Sequence, residues 1–146
     1  MGVVRASSER TIGQPRQEVW DVLRDYGRRP AWLPDAFRDY SVESGGIGAG
    51  TVASYTLSAG RRERAYRVEV TEPEPDRQLR ERDTNSSLVT TWTLADADGG
   101  GTRVELASEW QGASGIGGFF ERTFAPKALG RVYDGVLERL ERELAG

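Results

Sequence analysis

The sequence predicts an α+β fold in which a curved antiparallel sheet of about seven strands wraps around one long C-terminal helix, with two short helices after the first strand. Apolar and polar residues alternate with a period of two over much of residues 51–110, which indicates strands with one buried face. Near the end of the chain, apolar residues recur at helical spacing instead. Near the start, a short helical pattern stops at Gly27, Pro30 and Pro34.

The first strand and the first helix are predicted at the start of the chain. The residue types of segment 3–13 are compatible with a β-strand. Pro15 stands at an expected first helical position, where its missing N–H is not needed. The apolar residues that follow share one helical face: Val19, Val22, Leu23 and Tyr26. Gly27 ends this helix, and "RRPAWLPDAF" (28–37) predicts a second short helical turn. This break in the helical pattern is either a corner packed on the core or a lid over a cavity. In the second case Trp32 lies at the mouth of the cavity.

The middle of the chain consists of predicted strands joined by glycine-rich turns. Strand character is found in "TVASYTL" (51–57), "RAYRVEVTEPEP" (64–75) and "RQLRERD" (77–83). A hairpin follows, whose buried face is predicted to hold Leu88, Thr90, Trp92, Leu94, Val104, Leu106, Ser108 and Trp110. The stretches "GGIGAGT" and "DADGGGT" lack a following Lys-Ser/Thr pair and do not lead from a strand into a helix. We interpret them as hairpin turns rather than phosphate loops.

The last helix is predicted over about residues 116–144, and its two halves differ. The second half has a regular apolar stripe of Leu129, Val132, Val136, Leu140 and Leu144. The first half is rich in large apolar side chains, Ile116, Phe119, Phe120 and Phe124, and Pro126 interrupts it. The preceding "GASGIGG" predicts a mobile gate over residues 112–120, and the alternative is a static turn whose glycines allow close packing.

Composition narrows the classes of function. A chain of 146 residues predicts one domain, 1–146. It has no cysteine and no histidine, which excludes disulfides and a serine-histidine triad and removes the commonest metal ligand. The net charge of −3 is spread over interspersed acids and bases, which argues against a nucleic-acid partner. The first residues lack a long apolar run, so we expect a cytoplasmic protein without stable membrane insertion.

No cofactor or metal is expected. Asp96 and Asp98, with Asn85, supply oxygen ligands, but their spacing is not that of an EF-hand calcium loop. The sequence does not indicate the oligomeric state.

Four stretches together resemble the SRPBCC superfamily, which includes START domains, birch-pollen-allergen-like proteins and the polyketide cyclase/dehydrase-like group. They are "QPRQEVWDVLRDYGRRPAWLP", "GIGAGT", "DGGGTRVEL" and "APKALGRVYDGVLERLERELAG", in that order. The resemblance covers essentially the whole chain and implies the helix-grip fold, a sheet gripping one long helix around a deep, mostly apolar cavity. It further implies binding of lipids, sterols or polyketides, and in some members cyclisation or dehydration of aromatic polyketides.

Strand alternation predicts which side chains face this cavity. On the concave face we expect Tyr55, Tyr66, Leu79, Glu81, Thr90, Trp92, Leu106, Ser108 and Trp110. The predicted ligand-binding residues are Trp32, Tyr55, Tyr66, Glu81, Thr90, Trp92, Ser108, Trp110, Phe119, Phe120 and Phe124. Rings with a few hydroxyls suit a ligand with few polar groups. The alternative is that the aromatic side chains simply fill the core.

Glu81 is the most informative polar residue, because it lies two positions from Leu79 and therefore on the same face. A carboxylate in an apolar cavity needs a partner or a proton, and Arg64, in phase with Tyr66, is the candidate partner. Glu81, Arg64 and Tyr66 are the catalytic candidates if the protein is an enzyme. A register shift, or a rim wide enough to hydrate both charges, is the alternative.

Three functions remain open at this point. The first is binding of a small hydrophobic ligand, aromatic, polyketide-like or lipid, in an internal cavity. The second is an aromatic polyketide cyclase or dehydratase, which orientation and a few hydrogen-bond donors can promote without histidine. The third is a protein-interaction or ubiquinone-binding module.

Overall fold

The computed structural model describes residues 2–112 and 124–146, and their strands form one seven-stranded antiparallel sheet. The strands are β1 (Val3–Ile12), β2 (Phe37–Ser44), β3 (Val52–Ala59), β4 (Arg62–Glu74), β5 (Gln78–Asp83), β6 (Val89–Asp96) and β7 (Thr102–Gln111). They lie side by side in the order β1-β7-β6-β5-β4-β3-β2. The helices among these residues are α1 (Arg16–Leu23) and α2 (Pro126–Ala145), and single 3₁₀ turns lie at Arg29–Ala31 and Asp98–Gly100. The predicted fold class is confirmed.

The edge strand β2 departs from period two, which is why the sequence pattern does not delimit it. Its pairing with β3 shifts register twice, and Asp39 within it has a φ of 54°. A bulge sets two residues against one and interrupts the alternation of faces. As a result the half-buried apolar side chains of β2, Phe37, Tyr40 and Val42, are unevenly spaced along the strand.

The long helix α2 begins at Pro126. The prediction that Pro126 interrupts a longer helix depends on residues 113–123 and stays a prediction. Proline suits the first helical position, because the N–H that it lacks has no partner there. Phe124 and Ala125 precede the helix, and Ala125 is extended. Residues 113–123, on which the rest of the predicted first half and the gate depend, lie outside the described residues.

The apolar stripe of α2 is confirmed and is wider than the sequence pattern indicates. Its fully buried members are Leu129, Tyr133, Val136, Leu137 and Leu140, with Val132 and Leu144 half-buried beside them. The sequence pattern missed Tyr133 and Leu137, because they widen the stripe around the helix rather than extending it along the axis.

Polar contacts hold α2 in place on both sides. Ser8 of β1 hydrogen-bonds Asp134, and Arg10 pairs with Glu141 at 2.8 Å. On the other side Arg139 donates to the Trp32 carbonyl at 2.8 Å. The segment after α1 is therefore fixed against the helix, and together they close the space over the concave face of the sheet.

The predicted glycine-rich turn at "GGIGAGT" joins β2 to β3 and is tied to α1. The Gly48 N–H donates to the Arg24 carbonyl at 2.7 Å, and the Tyr26 N–H donates to the Gly46 carbonyl at 2.8 Å. The Glu72 carboxylate accepts from both Ala49 N–H and Arg24, each at 3.0 Å. These bonds anchor the end of α1 to β4.

Within residues 2–112 and 124–146, no helix has the length and apolar character that crossing a membrane requires.

Candidate functional site

A cavity lies between the concave face of the sheet, α2 and the segment after α1. Its lining residues are Tyr26, Arg29, Leu33, Phe37, Tyr40, Ala53, Tyr55, Val68, Glu81, Thr90, Trp92, Leu106, Tyr133 and Val136. Most are aromatic or aliphatic, as in sites for small organic ligands. The free volume is about 20 Å³, room for about one water molecule.

A buried ion pair between Arg29 and Glu81 is the most polar part of this cavity. Arg29 Nη1 lies 3.1 Å from Glu81 Oε2, and the two side chains are only 5% and 6% exposed. The Tyr26 hydroxyl donates to the same carboxylate oxygen at 2.6 Å. Burial, reinforced by the Glu81 charge, raises the pKa of Tyr26 well above its ordinary value, so this phenol stays protonated.

The predicted partner of Glu81 was wrong. The register sets Glu81 opposite Val70, six residues along β4 from Arg64, which is a separation of about 20 Å at the rise of a strand. Arg64 instead lies near the Tyr66 ring, with its guanidinium carbon 5.7 Å from the ring centroid. The prediction that Glu81 faces inward is confirmed, since it is buried.

Arg29 is fixed by more than its ion pair. Its Nη2 and Nε donate to the carbonyl of Leu23, the last residue of α1, at 2.9 and 3.2 Å. A cation at this end of a helix is favoured by the helix dipole. Its guanidinium carbon lies 4.2, 5.0 and 5.4 Å from the ring centroids of Tyr26, Trp92 and Trp32.

Sequence reasoning missed Arg29, which is one arginine among nineteen. A signal was available, because Val22, Tyr26 and Arg29 follow one another at helical spacings of four and three. Continuing the buried face of α1 past Gly27 places Arg29 inside.

A chain of hydroxyls forms a second polar part of the cavity. Ser108 Oγ lies 2.5 Å from both Thr90 Oγ1 and the Tyr133 hydroxyl. Burial raises the pKa of Tyr133 to about 12, although its hydrogen bonds to Ser108 and Thr90 oppose the shift. Tyr133 is therefore a neutral donor and acceptor at physiological pH.

Three buried donors or hydroxyls have no hydrogen-bond partner among the described residues: Trp32 Nε1, Trp92 Nε1 and the Tyr40 hydroxyl. Two of them, on Trp92 and Tyr40, belong to residues that line the cavity. Burial raises the pKa of Tyr40 and of Tyr55, so both phenols remain protonated. Buried donors without acceptors are costly to a folded protein.

A row of aromatic rings continues from this cavity to a second one. Tyr55 lies 6.1 Å from Tyr40 and 5.8 Å from Tyr66, and Tyr66 lies 6.3 Å from Phe124, all between ring centroids. The second cavity, of about 10 Å³, is lined by Arg64, Tyr66, Ser86, Leu88, Trp110, Phe124 and Leu129. Tyr55 and Tyr66 are directly paired across β3 and β4, so this pair separates the two cavities.

The structure thus distributes the predicted ligand-binding residues over several places. Tyr55, Glu81, Thr90 and Trp92 line the first cavity, with Ser108 hydrogen-bonded behind them. Tyr66, Trp110 and Phe124 line the second, together with Arg64. Trp32 is buried edge-on against Trp92, 6.2 Å between centroids, and lines neither cavity. Phe119 and Phe120 lie outside the described residues. Ligand binding by any of these residues stays a prediction.

Within the described ranges, no group of three or more acidic side chains is placed to hold a metal ion.

Solved structures with the same architecture are numerous. The KanY protein is 41% identical over the whole of both chains, with a TM-score of 0.86. ZhuI aromatase/cyclase from a Streptomyces species is 16% identical, with 99% of this chain and 94% of that chain covered and a TM-score of 0.74. A START superfamily protein from Mycobacterium smegmatis is 10% identical, with coverages of 99% and 98% and a TM-score of 0.73. The last two similarities establish the fold.

A search of curated proteins finds no significant match to this sequence. The model of one protein family does match, over residues 3–145, and its description is polyketide cyclase/dehydrase and lipid transport. Family and fold together support a role in hydrophobic-ligand binding or cyclisation. The chain belongs to the polyketide cyclase/dehydrase and lipid transport family, and it shares the fold of the START superfamily protein.

Proposed function

We propose that the protein binds a small aromatic ligand in the cavity beside Arg29 and Glu81. The observation that supports this most is the combination of an aromatic wall with buried polar groups that lack partners among the described residues. A core that served stability alone would gain from replacing such groups with apolar ones. Retaining them is favourable if a ligand supplies the missing acceptors.

Binding of an aromatic ligand requires the cavity to expand. About 20 Å³ holds one water molecule, whereas small-molecule sites typically measure several hundred Å³. Displacement of Tyr55 would join the two cavities, because its half-buried ring lies between them against Tyr66. It contacts Phe37 and Tyr40 of the irregular edge strand β2. We therefore propose that Tyr55 swings aside as the ligand enters.

Cyclisation with loss of water is the second candidate. Four phenols surround the cavity, Tyr26, Tyr40, Tyr55 and Tyr133, and burial keeps each protonated. Neutral donors fixed around a site stabilise negative charge that develops on a carbonyl oxygen as an enolate forms. In this candidate the polar centre is the pair of Glu81 and Arg29, in place of the pair of Glu81 and Arg64 that the sequence predicts.

Two measurements test the proposal. Native mass spectrometry of the purified protein is expected to retain an aromatic ligand, and titration with the neutral fluorophore phenylnaphthylamine is expected to give saturable binding on the order of micromolar. Absence of saturable binding would contradict ligand binding. Incubation with a short aromatic-forming polyketone distinguishes the candidates, since a cyclase yields a product lighter by one water and a binding protein returns the compound unchanged.

A further inference from the structure

We propose that the cavity selects neutral aromatic ligands bearing an acceptor oxygen, such as aromatic ketones, and excludes carboxylates of the same shape. This inference rests on the proposed function and adds the charge and polarity of the ligand to it.

The first argument is that the cation in the cavity is already engaged. Arg29 Nη1 faces Glu81 at 3.1 Å, and Nη2 and Nε both donate to the Leu23 carbonyl. The rings of Tyr26, Trp92 and Trp32 surround the guanidinium. A carboxylate ligand would have to displace Glu81, whose backbone is fixed between β4 and β6.

The second argument is that the lining has no net charge. Arg29 and Glu81 are the charged side chains among the described lining residues, and they neutralise one another. The other ionisable lining groups are tyrosines, which burial keeps neutral. An anion in this desolvated space would therefore be uncompensated, which is far less favourable than remaining in water.

The third argument concerns hydrogen bonds. Trp92 Nε1 is a donor only, and neither it nor the Tyr40 hydroxyl has a partner among the described residues. An acceptor oxygen on the ligand satisfies such a donor, whereas a purely hydrocarbon ligand leaves it unpaired. A ketone or ether oxygen meets this need without bringing charge.

Three naphthalenes substituted at the same ring position separate these effects: acetylnaphthalene, ethylnaphthalene and naphthoate. Each competes against bound phenylnaphthylamine at neutral pH, with fluorescence as the readout. For the unmodified protein we expect the ketone to bind about tenfold more tightly than naphthoate, and several-fold more tightly than ethylnaphthalene.

Glu81→Gln tests the role of the ion pair. It keeps the side-chain shape and leaves the Arg29 charge without its carboxylate, so naphthoate affinity is expected to rise about tenfold while ketone affinity changes little. Glu72→Gln is the matched control, because it removes the carboxylate of the partly buried Arg24–Glu72 pair, which lies outside the cavity. It is expected to alter neither affinity. Circular dichroism checks that each variant is folded.

The outcomes are separable. Naphthoate binding as tightly as the ketone in the unmodified protein overturns charge selection, and this comparison stands even if Glu81→Gln fails to fold. Ethylnaphthalene matching the ketone overturns the requirement for an acceptor. Failure of phenylnaphthylamine itself to bind overturns the proposed function, and the inference with it.

Discussion

The Arg29–Glu81 pair is the most buried of the ion pairs between described residues. Desolvation of two charges offsets most of their attraction, so such a pair contributes little net stability, but the loss of one partner leaves an uncompensated charge. The pair is therefore weak evidence for a contribution to the stability of the fold, which is consistent with the proposed ligand site.

A double-mutant cycle tests this account. We expect Arg29→Met and Glu81→Leu each to lower the free energy of unfolding by about 3–5 kcal/mol, and the double variant to cost less than either single change. Urea denaturation measures all four proteins. A double variant that loses the sum of the two single losses would show that the residues do not act as a pair.

Two buried tyrosines provide a matched test of hydrogen bonding. Tyr133→Phe breaks a bond to Ser108, so we expect a loss of about 1 kcal/mol in the free energy of unfolding. Tyr40→Phe removes a hydroxyl that has no partner among the described residues and should be neutral or slightly stabilising. Thermal unfolding of both variants measures the difference. Equal losses would contradict the hydrogen-bond assignments at both positions.

At the residue level, the sequence predicts the face of the sheet on which a side chain lies wherever strand alternation determines that face. Glu81, Thr90 and Trp92 are assigned correctly to the concave face, because a period of two leaves one choice of face once a neighbour is known to be buried. Arg29 starts the 3₁₀ turn after α1, so finding it required the helical spacing from Val22 and Tyr26 to be continued past Gly27. The partner of Glu81 could not be identified, since pairing across the fold depends on which helix covers the sheet.

Among the connecting elements, the glycine-rich turn before β3 requires glycine at position 48 for both conformation and space. Gly48 has a φ of +62°, and a Cβ there would lie 2.0 Å from Glu72 Oε2 and 2.5 Å from Arg24 Nη2. A Cβ at this position would force the ends of the Glu72 and Arg24 side chains to move, which disturbs the ion pair between them.

Gly48→Ala is therefore expected to lower the free energy of unfolding by about 2–4 kcal/mol, from left-handed strain and loss of the Arg24–Glu72 contact. Gly99→Ala is the control, since Gly99 has a φ of +73° and open space around its Cβ position. It should cost about 1 kcal/mol, the strain component. Chemical denaturation compares the two, and similar losses would mean that the packing around Gly48 is unimportant.

The elements differ in how far sequence determines them. Strands β4 to β7 alternate over most of their length and are predicted within a few residues, whereas β2 is obscured by its bulges. The sequence does not decide whether Pro126 interrupts a longer helix or starts a separate one, because proline is compatible with both. The extended backbone of Ala125 sets the start of α2 at Pro126.

For the whole molecule, we propose that the chain unfolds as one cooperative domain, and alkaline pH tests this. The folded-state pKa of Tyr133 is raised to about 12, and those of Tyr26, Tyr40 and Tyr55 are also raised, in each case mainly by burial. Their contribution to stability is complete below the ordinary tyrosine pKa of about 10 and is lost as pH rises toward the folded values, at about 1.4 kcal/mol per pKa unit.

We expect phenolate absorbance and loss of secondary structure to appear together above about pH 10, in one transition. Spectrophotometric titration recorded alongside circular dichroism measures both. Ionisation of these tyrosines near pH 10 with the fold intact would show that they are exposed to solvent.

The central claim for the whole molecule is that an aromatic ligand enters the space between the sheet and α2. The most direct test is a titration of isotope-labelled protein with acetylnaphthalene, followed by the amide resonances and the Trp92 indole N–H resonance. We predict saturable shifts on the order of micromolar affinity that centre on Tyr55, Glu81, Thr90 and the Trp92 indole, with Glu69 and Arg82 on the outer face unchanged. Shifts that do not saturate, or that appear on the outer face while the lining residues stay unchanged, would contradict the claim.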